Sequence, residues 1–258
     1  MQRKMAKFAE AFWRFIFYTL FCVVGYFTLF QPELALWVAD TRHNWIKWPE
    51  HPMTSMLEFY YQVELGCYFH QLMWTEIHRS DAAEMILHHL TTIALVMSSY
   101  LTNFTRIGSS ILLLHDLSDV FLESAKVMNY ISLANSKVRW LKICCDSLFV
   151  VFAITFVITR LYIYPRYVIS SVLFEASVEF GREWIGYWAF VVMLVTLQLL
   201  HIFWFYLIAR MVYKMVALKC ETDERSDVEE DFGDEYEPDD DDDDDGSKNV
   251  ASPDKKNQ

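Results

Sequence analysis

Glycine and proline are scarce in this 258-residue chain, at 7 and 6. The paired Gly/Pro-broken helices of a secondary transporter are therefore missing, and no internal repeat stands in for them. Cysteine is also sparse. Cys22, Cys67, Cys144, Cys145 and Cys220 are scattered, four of them in apolar surroundings. No CxxC or other paired metal spacing occurs, which excludes a disulfide framework or zinc site as the organising feature and leaves small buried side chains. Nor is the net charge of −12 a property of the whole chain: residues 221–258 hold 18 acids against 4 bases, and residues 1–220 hold 16 against 18. The tail, with Asp239–Asp245 unbroken, is too charged and too poor in apolar residues to fold, and reads as a disordered segment behind a domain over 1–220. Its Ser226 has Glu229 three residues on, the spacing of an acid-directed phosphorylation site.

What the chain does have is apolar and aromatic mass, 54% and 17%, delivered in long runs. Runs of about 18 or more apolar residues read as membrane spans. Six are expected, at about 11–30, 57–77, 84–101, 107–130, 140–163 and 184–213. The first follows a basic start that resembles a signal peptide. Glu10 and Arg14 interrupt it and no small-residue cleavage site follows, so a retained helix is expected. The second is the most interrupted, by Glu58, Gln62, Glu64, His70 and Gln71. A connector with Trp37, Trp45, Trp48, Pro49 and Pro52 suits an interfacial position, and residues 164–183 are expected to form another long connector. The basic residues flanking the spans favour cytosolic N- and C-termini. The fold class is an all-α polytopic bundle.

Two polar clusters lie inside these apolar runs, where ionisable side chains are expensive and usually mark function. One is His88-His89 in EMILHHLTTIALV; the other is His115, Asp116 and Asp119 in LLLHDLSDVFLESAK. His115 and Asp119 share a helical face, Glu123 extends it, and Asp116 lies about 100° around. An aspartate one turn from a histidine can accept its ring N–H and fix its tautomer. Helix rise sets His88 and His89 roughly 10 Å inside the cytosolic face, level with Asp119 and Glu123, with His115 deeper. His70 and His201 read as helix–helix hydrogen bonds, as does Glu64. Glu123 and Lys126 are also spaced for an ion pair. Three histidines and two aspartates could hold a metal, but this chain, with 8 histidines in all, lacks the HxxHH clusters of membrane di-iron oxidases.

Asp81, Met85 and His88-His89, then Ser99-Tyr100, Asn103, Arg106 and Gly108, then LLLHDLSDVFLESAK, resemble the long signature motif of ceramide synthases in the TLC-domain superfamily. KFAEAFWRFIFY, CCDSLFVVFAITFVITRLYIYP and the acidic tail are similar too, so that the resemblance covers roughly 6–215. It implies a six-helix TLC bundle with an internal cavity in the endoplasmic reticulum membrane. The activity implied is N-acylation of a sphingoid base by a fatty acyl-CoA, giving ceramide or dihydroceramide and CoA. His88 or His115 would serve as general base, or a histidine would carry the acyl group as an acyl-imidazole. Asp116 or Asp119 would orient it or hold the sphingoid ammonium, with His89 at the site and Glu123 beside it. Arg79, Arg139 and Lys142 would meet CoA phosphates, although they also satisfy the positive-inside pattern. No cofactor is implied beyond acyl-CoA as co-substrate. The partners expected are acyl-CoA, the sphingoid base, the bilayer and a homo- or heterodimer, with no nucleic acid. A non-catalytic TLC protein that binds or senses lipids is the alternative. Asn103 begins a formal glycosylation sequon in a short hairpin, and is expected to serve the fold unmodified.

Overall fold

The computed structural model describes residues 2–30, 40–73, 81–135, 137–180 and 185–217, and these are helical with no strand among them. The tail with Ser226, the segment with Arg79 and the stretch with Trp37 lie outside the described residues. Six long helices follow in order: α1 (Gln2–Leu29), α2 (Ser55–Met73), α3 (Ala82–Leu101), α4 (Thr105–Ala134), α5 (Arg139–Phe156) with its continuation, and α6 (Ile185–Ala217).

Three of these helical stretches are long and apolar enough to cross a membrane: Lys4–Leu29, Arg139–Ala176 and Gly186–Tyr213. Their large side chains stay exposed, for example Trp13, Leu20 and Phe27 on α1 and Trp188, Val192 and Leu199 on α6. A hydrocarbon solvent would cover such faces. The helices α2, α3 and α4 are more polar. Helix α4 packs against α1 and α5 and also touches α2 and α3, so its polar side chains are enclosed by protein. The buried ionisable residues sit among buried apolar side chains while the outer faces stay apolar, the arrangement a bilayer demands of ionisable residues.

Residues 164–180 depart from the expected connector. Helix α5 continues as a π-helix through Val157–Ile169 and Ser171–Ala176, with a last turn at Ser177–Phe180. Pro165, whose ring would disrupt an ordinary α-helix, lies inside the π segment. The wider π register hydrogen-bonds five residues apart, so it accommodates the ring and the missing N–H with a local change of pitch instead of a break.

The α3–α4 hairpin is closed by Asn103, whose φ of 58° lies in the left-handed region that asparagine tolerates. Its Nδ2 donates to the carbonyls of Pro49 and His51, at 2.6 and 3.0 Å. That ties the connector, including a 3₁₀ turn at Thr41–Asn44, over the hairpin, and engages the nitrogen a glycan would need. Arg106 adds a bond to the His43 carbonyl, at 2.6 Å. Trp45, expected at the headgroups, is instead buried, with its indole N–H donating to Ser171 at 2.8 Å. Enclosed polar groups on the π segment, Ser171 and through it Glu175, give that indole a partner which interfacial water would otherwise supply.

Close helix approach is built around Gly108 on α4. A Cβ there would sit 2.0 Å from the Tyr61 hydroxyl. That hydroxyl donates to the Thr105 carbonyl at 3.1 Å and lies 3.3 Å from Ser99 Oγ. Helices α2, α3 and α4 thus meet at one glycine.

Candidate active site

Helices α3, α4, α6 and the π segment converge on a set of buried rings. His88, His89, His115 and His201 are all buried. The His88 ring lies 6.1 Å from that of His115, nearly parallel, and 5.1 Å from Trp204. His89 turns away toward Tyr68, at 6.4 Å, as the 100° step between neighbours requires. Tyr164 stands edge-on to both His115 and His201, at 5.8 and 5.1 Å.

The tautomers follow from the partners. His115 Nδ1 is 2.7 Å from the Ile111 carbonyl. A carbonyl only accepts, so Nδ1 carries the proton and Nε2 of the neutral ring has the lone pair. His201 Nε2 lies 3.0 Å from that Nε2 and must donate to it. His201 Nδ1 then holds the remaining lone pair, enclosed and without a partner. The sequence reading of His201 as a helix–helix hydrogen bond fits, and its partner is the central histidine. His88 Nδ1 is likewise buried with no hydrogen-bond partner.

The carboxylates sort into two groups. Asp119, about a quarter exposed, receives Arg160 at 2.7 Å. The guanidinium also donates to Ser118 Oγ at 2.9 Å and the His115 carbonyl at 3.0 Å, and stacks over Phe156. Sequence reasoning passed over Arg160, absorbing it into the fifth span. A lone arginine within an apolar run was the signal, because such a charge needs an internal partner. Asp116 accepts a long bond from the Tyr60 hydroxyl, at 3.4 Å. Glu64 keeps its Oε1 buried and unpartnered, so it belongs with the site residues and not with simple helix contacts. Glu123 pairs with Lys126 at 3.1 Å, the ion pair its spacing allowed.

Below the rings lies a narrow cavity of about 10 Å³. Its lining includes His115, Thr92, Tyr68 and Ser99 beside Leu95, Val96 and Leu197. A second cavity of about 30 Å³ shares Leu95, Ser99, Gly108 and Ile111 with it and ends at Trp45, Tyr187 and Phe190. Together they mark an apolar track from the histidines toward the connector. Arg139 is exposed at the first residue of α5, and Lys142 is half-buried one turn on. They stand at the end of the fold where α4 stops and α5 begins.

A family model described as TLC domain matches residues 7–210. Human "Ceramide synthase 5" is 42% identical over 229 residues, which is 87% of this chain and 55% of that protein. Mouse "Ceramide synthase 4" is 37% identical over 235 residues, 90% of the chain and 57% of that protein. "Ceramide synthase LOH1" of Arabidopsis thaliana is 34% identical over 249 residues, 91% and 76%. The chain thus spans a little over half the length of the two mammalian relatives.

Proposed function

The chain belongs to the TLC-domain family, and on that footing we propose that it is a ceramide synthase. It moves a fatty acyl group from acyl-CoA to the amine of a sphingoid base, releasing CoA. The six helices form a TLC bundle around an internal cavity. The bundle lies in the endoplasmic reticulum membrane with both termini cytosolic, carries a disordered acidic tail, and works as a homo- or heterodimer.

One observation carries the chemistry. His88 presents an enclosed, unpartnered Nδ1 with its ring 6.1 Å from that of the cavity-lining His115, while both nitrogens of His115 are engaged and His201 is tied to His115 through Nε2. His88 is therefore the acting histidine. It either takes the amine proton as the nitrogen attacks the thioester carbon, or attacks that carbon itself and hands the acyl group on. In both routes the C–S bond breaks and the thiolate leaves with the proton. Glu64 and Asp116 supply acceptors for the sphingoid ammonium and take the first proton it must lose to become the attacking amine; the second is the one that His88 handles. The Arg160–Asp119 pair fixes the α4 backbone that carries His115. Apolar walls keep water from competing for the thioester. Arg139 and Lys142 stand at the cytosolic rim for the CoA phosphates.

The test is expression in cells stripped of their own ceramide synthases, followed by ceramide measurement with acyl-CoAs of several lengths. The wild type is expected to form ceramide, and His88→Ala to abolish it. An acyl adduct trapped on His88 selects the second route. Lipid binding without amide formation would instead point to the non-catalytic reading.

A further inference from the structure

Threonines and serines inside helices usually donate back to a carbonyl three or four residues earlier. This protein follows the rule at Thr28, Ser99, Ser109, Ser110 and Thr159. Thr92 breaks it. Its side chain is 4% exposed, and its Oγ1 is fully enclosed with no hydrogen-bond partner. Among the described residues it is the one serine or threonine hydroxyl in that condition. An enclosed hydroxyl left unpaired is costly, so its survival asks for a ligand that pairs with it at some stage.

Its position says which stage. Thr92 lies four residues after His88 on α3, hence on the same face about 6 Å further along. It lines the narrow cavity together with His115. An acyl chain lying in the apolar track would bring its carbonyl carbon to the histidines and its carbonyl oxygen to Thr92.

Building on the acyl-transfer reading above, we propose that Thr92 is a catalytic residue whose hydroxyl donates to the oxyanion of the tetrahedral intermediate. As the nucleophile bonds to the thioester carbon, the C=O π pair moves onto oxygen, and that oxygen accepts the Thr92 hydrogen bond. Thr92 gives up no proton. When the intermediate collapses, the pair returns to re-form C=O and the C–S bond breaks, with the thiolate taking the proton held by His88. The assignment serves both routes, because amine attack on the thioester, histidine attack on it and amine attack on the acyl-imidazole all put the charge on the same carbonyl oxygen; in the last of these the C–N bond to imidazole breaks and His88 takes the amine proton. The unpaired ground state is what makes the donor effective: its bond strengthens as charge develops and was not spent on the protein.

The test compares purified wild type with Thr92→Val, which keeps the branched shape, and Thr92→Ser, which keeps the donor. Thr92→Val is expected to lower kcat by about a hundredfold, the typical loss of one oxyanion donor. KM for both substrates should hold, and the melting temperature should be equal to or above wild type, since the hydroxyl bonds nothing in the resting fold. Thr92→Ser should recover kcat to within about tenfold of wild type on the same ground. A Thr92→Val enzyme whose kcat stays within about threefold overturns the assignment, that factor being well under one donor's contribution. So does a loss of kcat matched by a fall in melting temperature that serine fails to rescue. If wild type itself forms no amide, the acyl-transfer reading falls and Thr92 with it; if wild type is active and Thr92→Val equals it, only the Thr92 assignment falls.

Discussion

Gly108→Ala tests whether the α2–α3–α4 junction is as tight as its distances say. The new Cβ would lie 2.0 Å from the Tyr61 hydroxyl and 2.9 Å from Ser99 Oγ, against an ordinary contact of 3.4 Å or more. Tyr61 is almost wholly buried, so its hydroxyl has to retreat by more than 1 Å and give up its bonds to Thr105 and Ser99. Two buried hydrogen bonds are worth about 2 kcal/mol and overpacking about 1–3 kcal/mol, while alanine regains about 1 kcal/mol of helix propensity. The net cost is about 2–4 kcal/mol, or a fall of about 5–15 °C in melting temperature for a domain this size. Tyr61→Phe alone costs about 1–2 kcal/mol, because Ser99 keeps its bond to Val96 and the Thr105 carbonyl keeps Ser109. In the double variant the closest clash is gone, leaving the small Ser99 hydroxyl at 2.9 Å and the ring Cζ at 3.2 Å. The pair should therefore cost only a little more than Tyr61→Phe alone, a coupling of about 2 kcal/mol. Thermal unfolding of the four proteins in one detergent measures the cycle. Strictly additive shifts, or a Gly108→Ala protein as stable as wild type, would refute the reasoning.

Three further outcomes are expected. Arg160→Met leaves Asp119 without its cation in a largely enclosed site and should cost about 3–5 kcal/mol, whereas Arg160→Met with Asp119→Leu should recover much of it; thermal unfolding decides, and a double variant worse than the single refutes the pairing. Both Nδ2 hydrogens of Asn103 are engaged, so glycosidase treatment should leave the electrophoretic mobility of the membrane-inserted protein unchanged, and a glycan at Asn103 would contradict the hairpin. His51 sits in the connector with Nε2–H on the Ile46 carbonyl and Nδ1 enclosed; burial first, and the Arg106 charge after it, hold its pKa below the ordinary histidine value. The unfolded chain therefore binds the proton more readily, and stability should be flat above about pH 6.5 and decline below it, a slope that His51→Gln should reduce in unfolding measured across pH.

The site's raw materials were legible in the sequence because the bilayer penalises what they are. His88, His89, His115, Asp116 and Asp119 stood out as ionisable groups in apolar runs, and the i, i+4 rule placed His115 and Asp119 on one face. Their partners were harder to read, since each comes from a distant helix. Arg160 reaches Ser118 and Asp119 from 41 or more residues away, and His201 reaches His115 from 86. No periodicity encodes such pairings; only the packing of α5 and α6 on α4 creates them. The continuation of α5 through 164–180, expected as a connector, was hidden for a different reason. A proline's effect on a helix depends on the hydrogen-bond register around it, and the π register is invisible to a pattern built on 3.6 residues per turn. Gly108, by contrast, was visible as part of a motif, but its reason appears only with the Tyr61 hydroxyl in place.

Counting nitrogens separates histidines that composition treats alike. Four buried imidazoles offer four basic lone pairs when neutral. The lone pair of His115 is filled by His201, whose own ring is tied to His115 through Nε2 and flanked by Phe156 and Tyr164 at ring distances of 6.3 and 5.1 Å. His89 is turned toward Tyr68, away from the His115 stack. What is left is His88, one turn from the unpaired Thr92 hydroxyl. A base or nucleophile and an oxyanion donor on successive turns of one helix need no loop to align them, because the helix fixes their spacing before any substrate binds. Replacing His201 with leucine would return the His115 lone pair to the cavity and add a second basic nitrogen. Its effect should therefore appear as a changed pH–rate profile, whereas glutamine, which keeps a donor at the same reach, should preserve the wild-type profile. Identical profiles for the leucine variant and wild type would mean that His115 was never restrained, and that the choice of His88 rests on its position alone.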